Sequence, residues 1–188
     1  MRLVIFDATR KSSLLEEGWG IGSFSMWFRG RTDGMLGALS WKEAFDWLEQ
    51  RVEDNNGPLK EIEFWGHGSS GEAYINGQKL TEYINTNPIS YNIMCKDGLF
   101  WFRTCSTFHG DKGKEFAKTF SNLVGCTIAA HTHKIGFPFH SGLHSIKPNE
   151  EPNWSSEEGK DKEGNVKRSG MFKPNTIMFW KNTIPKGW

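Results

Sequence analysis

The chain has 188 residues, 37% hydrophobic and 24% charged, with a formal net charge of +1; that length buries one real core, makes a single domain over 1–188 the default, and gives no electrostatic reason to expect nucleic acid. Its three cysteines, Cys95, Cys105 and Cys126, are far apart and odd in number, which fits reduced thiols rather than a disulfide framework. After Arg2 only four apolar residues precede Asp7, too few for a secretory core or a membrane span, so a cytoplasmic protein without membrane contact is expected.

Leu3–Phe6, with Val4 and Ile5, reads as a buried strand closed by Asp7. From Thr9 to Leu39, glycines interleave with Trp19, Phe24, Trp27 and Phe28, the pattern of a long loop with room for a hairpin. Ser40-Trp-Lys-Glu43 has capping-box spacing, and Trp41, Ala44, Phe45, Trp47, Leu48 and Val52 then mark one face of a helix stopped at Asn55-Asn-Gly57-Pro58. Ile62–Trp65 is a strand leading into Gly66-His67-Gly68, and Ala73–Leu80 is a small hairpin around Asn76-Gly77. Thr81 is expected to cap a short helix ending near Asn85.

Leu99–Phe102 is a second strongly apolar strand and runs into Arg103-Thr-Cys105; Lys114–Val124 has helical spacing and Cys126–Ala130 is another strand. Strands alternating with helices predict a three-layer α/β/α sandwich around a mostly parallel sheet. The chain then turns polar, and Asn149–Arg168 offers almost nothing to bury, so a mobile or exposed insertion is expected at about 149–168. Thr176–Trp180 regains strand character and should return to the sheet or its edge. The nine tryptophans and fourteen phenylalanines are mostly core material.

Ligands of open α/β sheets bind beyond the carboxyl ends of the strands, where this chain carries His67, Cys105 and His131. Parallel neighbours lie about 4.8 Å apart, so side chains leaving adjacent strand ends come within reach of each other. An imidazole can take the proton of a thiol that attacks a carbonyl and later return it to a leaving amine. Gly68, lacking a side chain, lets substrate approach a backbone N–H beside the histidine, and the Cys105 N–H is the natural second donor for an oxyanion.

Strand-Gly66-His67-Gly68 followed by strand-Thr104-Cys105-Ser106 resembles the paired His-Gly and Cys motifs of the caspase-like cysteine peptidases, the superfamily of caspases, legumains, gingipains and CHAT-type bacterial domains. The run Gly66-His-Gly-Ser-Ser-Gly71, then Gly77-Gln-Lys-Leu80, then Cys105 leading through Gly110 and Gly113 to a helix and a strand at Ile128, is similar to the bacterial branches. The similarity covers roughly Leu3 to Gly136. It implies a caspase-like fold, His67 as general base and acid, Cys105 as nucleophile, the Gly68 and Cys105 amides as oxyanion hole, a peptide or protein substrate and no cofactor. The caspase signature of Gln-Ala before the cysteine and glycine two positions after it is absent, since Arg103-Thr104 and Thr107 stand there. No aspartate specificity is implied.

Asp7 is a candidate contact for a basic substrate group, with a loop hydrogen bond as its more ordinary role. Arg103, Arg29 and Arg31 are candidates for an acidic substrate, with surface or ion-pair roles as the ordinary alternative. His131, His133, His140 and His144 place four imidazoles within fourteen positions. Without tight Cys or HExxH spacing they are expected to line the substrate cleft and to hold no metal. Cys105 is expected to be the activated thiol and Cys126 a buried one. The competing expectation is an inactive module that binds a peptide or protein partner through the aromatic stretch Trp19–Phe28.

Overall fold

The computed structural model describes residues 1–9, 32–87 and 93–188. In chain order these form β1 (Arg2–Asp7), β2 (Gly34–Ala38), α1 (Trp41–Asp54), β3 (Leu59–Trp65), β4 (His67–Ser69), β5 (Glu72–Ile75), β6 (Gln78–Lys79), α2 (Leu80–Thr86), β7 (Met94–Arg103), α3 (Gly110–Val124), β8 (Thr127–His131), β9 (Phe139–His140), β10 (Leu143–Ile146) and β11 (Ile177–Met178). The central sheet has the order β10-β8-β7-β3-β1-β2. Five of its strands are parallel and β10 runs antiparallel to β8.

Local chemistry accounts for the elements around the site. Ser40 Oγ accepts the Glu43 N–H at 3.2 Å while the Glu43 carboxylate accepts the Leu39 N–H at 2.8 Å, so α1 is capped from both directions. Asn76 and Gly77 take φ of 53° and 74°, the pair of positive values a two-residue hairpin turn needs between β5 and β6. Thr81 does not cap α2. Its N–H and hydroxyl both donate to the buried Glu72 carboxylate, and Lys79 occupies the cap position without a side-chain bond.

The connections β2-α1-β3, β3-α2-β7 and β7-α3-β8 all step in one direction across the sheet. Right-handed crossovers that advance the same way lay their helices on the same face. Accordingly Trp41, Phe45 and Leu48 of α1, Leu80 and Tyr83 of α2, and Phe116 and Phe120 of α3 share one core with Ile5, Ile62, Phe64, Phe100, Phe102 and Ile128. The opposite face, carrying Val4, Trp65, Trp101 and Ala129, is packed by Leu143 and by Ile177, Phe179, Ile184 and Trp188 from the C-terminal segment. Among the described residues the fold is therefore mixed α/β with a mostly parallel sheet and one helical layer. On the other face the described covering is the C-terminal segment.

Two expectations change. Gly34–Ala38, read as loop, is the edge strand β2; its glycines hide the pattern because they make room for rings, a Cβ on Gly37 falling 2.7 Å from Phe6 Cζ. Ile177–Met178 pairs with β9 in a separate two-stranded ribbon rather than rejoining the sheet. The polar stretch 149–168 is exposed over most of its length, and one residue anchors it: Trp154 is buried, stacks on Phe108 at 4.9 Å and on His144 at 4.8 Å, and donates its Nε1–H to the Phe108 carbonyl at 3.0 Å. One indole buries roughly 150–250 Å², which average composition over the stretch conceals. No helix among the described residues is long and apolar enough to cross a membrane. Trp19–Phe28, Arg29 and Arg31 lie outside the described residues.

Candidate active site

The last rung between neighbouring β3 and β7 joins Trp65 to Arg103. His67 and Cys105 each stand two residues beyond that rung, at the carboxyl ends of the two strands. After Gly66 the chain turns into β4, whose hairpin with β5 lies against the loop that carries Cys105. The approach is close: a Cβ on Gly68 would stand 2.5 Å from Thr107 Oγ1 and 2.6 Å from the Cys105 carbonyl oxygen. Hydrogen bonds sew the two segments together. The Gly71 N–H donates to the Thr107 carbonyl at 2.9 Å, Thr107 Oγ1 donates to the Glu72 carbonyl at 3.0 Å, and Ser70 Oγ donates to the His109 carbonyl. Thr104 Oγ1 completes the set by donating to Thr107 Oγ1 at 2.6 Å.

On its other side the cysteine loop is tied to the segment after β8, through Ser106 N–H to the His133 carbonyl at 2.9 Å and Phe108 N–H to the His131 carbonyl at 3.0 Å. These ties hold Ser106 at φ 51°, a left-handed conformation that costs a non-glycine residue about 1–3 kcal/mol and that clusters at functional sites. His67 is exposed, whereas the Cys105 side chain is largely enclosed and its thiol donates to the Ile135 carbonyl at 3.7 Å. Cys105 forms one wall of a cavity of about 490 Å³ with Lys134, Ile135, Phe137, Phe139 and Arg168. Burial pushes the thiol's pKa up, against the pull of the Lys134 and Arg168 charges, so the resting thiol is protonated at neutral pH rather than preactivated. Cys126 is pushed up to about 12 by burial. A second cavity of about 540 Å³, between the β4–β6 hairpins and α3, contains none of the residues predicted for the site.

The other candidates are spent on structure. Asp7 is buried and its Oδ1 accepts the Thr9 N–H at 3.1 Å and hydroxyl at 2.7 Å, a local turn. Arg103, a candidate for an acidic substrate with an ion pair as its ordinary alternative, takes the ion pair: it has no solvent exposure, its Nε donates to Glu63 at 2.8 Å and its guanidinium lies 3.7 Å from the Trp101 ring centroid. The four clustered histidines are buried instead of lining a cleft, and they divide into two pairs. His133 Nδ1 donates to Thr132 Oγ1 at 2.9 Å, and Thr132 and His144 converge on the Glu158 carboxylate at 2.8 and 2.7 Å. Burial tends to raise the Glu158 pKa, but the hydrogen bond and charge of His144 hold it below its ordinary value. His131 and His140 meet edge to face at 5.3 Å on the opposite side of the sheet. Among the described residues no three His, Cys, Asp or Glu side chains are grouped to hold a metal ion.

His131 Nδ1 donates to the Ser141 carbonyl at 3.2 Å, which leaves Nε2 as a buried lone pair without a partner. Burial, aided by the Arg103 charge, pushes its pKa down to about 3. An unfolded imidazole binds a proton near pH 6.5, so this group's full contribution is present above that pH and is lost as acid favours the unfolded chain. At pH 5 the loss is about 2 kcal/mol. Glu61, raised to about 7 chiefly by burial, works in the opposite sense, losing stability as pH rises. The measurement is therefore the difference in urea-unfolding free energy between pH 7 and pH 5, compared for wild type and His131→Gln. The variant is expected to lose less on acidification, by about 2 kcal/mol; equal losses would refute a neutral buried His131.

Lys134 and Arg168 were not among the residues singled out from the sequence. Lys134 follows His133 just past a strand end, a usable signal, but Arg168 sits in the polar stretch, where composition marks nothing. No protein-family model, curated protein or solved structure matches this chain.

Proposed function

We propose that the protein is a cysteine peptidase with Cys105 as nucleophile and His67 as proton carrier. The observation that carries the reading is the shared height of the two residues, each two positions past the Trp65–Arg103 rung of adjacent parallel strands, with the Gly68 backbone packed on that of Cys105. In the first step the Cys105 proton passes to His67 as sulfur bonds to the substrate carbonyl carbon. The tetrahedral oxyanion is met by the Gly68 and Cys105 N–H groups. Collapse breaks the C–N bond, and the amine leaves with the proton from His67. Water, deprotonated by His67, then splits the thioester and restores the thiol. Because burial keeps the resting thiol protonated, proton removal and attack belong to the same event.

The test is incubation of the purified protein with a degenerate peptide library, reading new termini by mass spectrometry. Wild type should cleave, Cys105→Ala should not, and alkylation of Cys105 by iodoacetamide should slow in His67→Ala. An intact library together with alkylation indifferent to His67 would reject the peptidase and leave the inactive binding module.

A further inference from the structure

The cavity wall at Cys105 carries two positive charges that the peptidase chemistry does not use. Lys134 and Arg168 are partners in an isolated parallel bridge, with the Lys134 N–H donating to the Lys167 carbonyl at 2.9 Å and the Ser169 N–H to the Lys134 carbonyl at 2.8 Å. Bridge partners send their side chains to the same side, and like charges placed directly opposite repel each other. Neither side chain has a carboxylate partner among the described residues. Unlike Arg103, whose charge is met inside the protein by Glu63, these two point their need outward. The remaining walls are mainly apolar: Ile135, Gly136, Phe139 and Phe137, the last 79% exposed at the rim, with Ser169 the one uncharged polar side chain among them.

We propose that this cavity is a subsite for a carboxylate borne on an apolar group, gripped by Lys134 and Arg168 beside the Cys105 sulfur. An anion there relieves the repulsion between the cations, and a guanidinium paired with an ammonium offers a planar fork plus a point charge for its two oxygens. The volume of about 490 Å³ falls in the range of small-ligand pockets, about 300–1,000 Å³. On the peptidase reading, which this inference extends, the carboxylate belongs to an acidic side chain next to the scissile bond or to the C-terminus of a short substrate.

Alkylation with two reagents that differ in charge alone tests the subsite without needing turnover. With iodoacetate or iodoacetamide the Cys105 sulfur forms a bond to the methylene carbon, iodide leaves, and the thiol proton passes to buffer. Relative to Cys95 in the same molecule, Cys105 should prefer iodoacetate over iodoacetamide by about tenfold, an effect of two nearby cations. The preference should vanish in Lys134→Gln/Arg168→Gln, whose side chains are exposed, and shrink in high salt. An unchanged ratio in the double variant overturns the subsite even if the library is cleaved; a preference that vanishes sustains it even if the library stays intact. Protection of Cys105 from iodoacetamide by a C-terminally amidated peptide with an internal glutamate, or by a neutral peptide with a free C-terminus, names the source of the carboxylate. Protection by neither also overturns the proposal.

Discussion

Replacing Glu63 by alanine is expected to destabilise the protein by about 3–5 kcal/mol, the usual result of stranding one charge of a buried pair. Glu63 and Arg103 have no solvent-exposed side-chain surface and meet at 2.8 Å. Arg103 is further enclosed between Trp101, 3.7 Å away, and Trp65, 4.9 Å away, and donates to the carbonyls of Phe179 and Lys181. Burial lowers its pKa, yet a guanidinium does not give up its proton in practice, so the charge remains when its partner goes. The same guanidinium holds the C-terminal segment against the strand that ends two residues before Cys105, so the loss should reach the candidate site as faster, less selective alkylation of Cys105. Urea unfolding measures the stability term. The paired replacement Glu63→Met/Arg103→Met should recover most of it, because an apolar pair of similar volume needs no compensation. A loss below about 1 kcal/mol for Glu63→Ala would mean that water reaches the pair.

On the proposed peptidase reading, Gly68→Ala is expected to slow peptide hydrolysis about 100-fold, the scale of a displacement near 1 Å in a catalytic arrangement. The added methyl meets Thr107 Oγ1, the Cys105 carbonyl and Thr104 Cβ at 2.5, 2.6 and 2.7 Å. None of these is the free end of a long side chain, so either the hairpin lifts away or the cysteine loop moves, and both shift the segment of His67 relative to that of Cys105. Gly57→Ala is the matched control, since a Cβ there meets nothing within 4 Å. Hydrolysis of a peptide found in the library screen and the iodoacetamide rate at Cys105 should fall together in Gly68→Ala and hold in Gly57→Ala. A Gly68→Ala protein within twofold of wild type in both would show that the packing of hairpin on loop is irrelevant to the chemistry.

What the sequence by itself determined is what neighbours within a turn or a strand decide. The apolar runs at Leu3–Phe6, Ile62–Trp65 and Leu99–Phe102 became β1, β3 and β7, the Ser40 cap opened α1, and Asn76-Gly77 turned the hairpin, because periodicity, capping and turn chemistry act over a few residues. That His67 and Cys105 each follow the end of a strand was legible for the same reason. The tertiary structure alone decided matters of distant partnership. Sheet order and crossover direction put all three described helices on one face, a choice no single segment encodes. Arg103 stood open between a substrate contact and an ion pair until Glu63 and two indoles enclosed it, whereas Arg168, 63 positions after Cys105, looked like solvated chain until its bridge to Lys134 brought it to the cavity. Whether a charge serves structure or ligand depends on which opposite charge the fold brings to it, and that pairing is made only when remote segments meet.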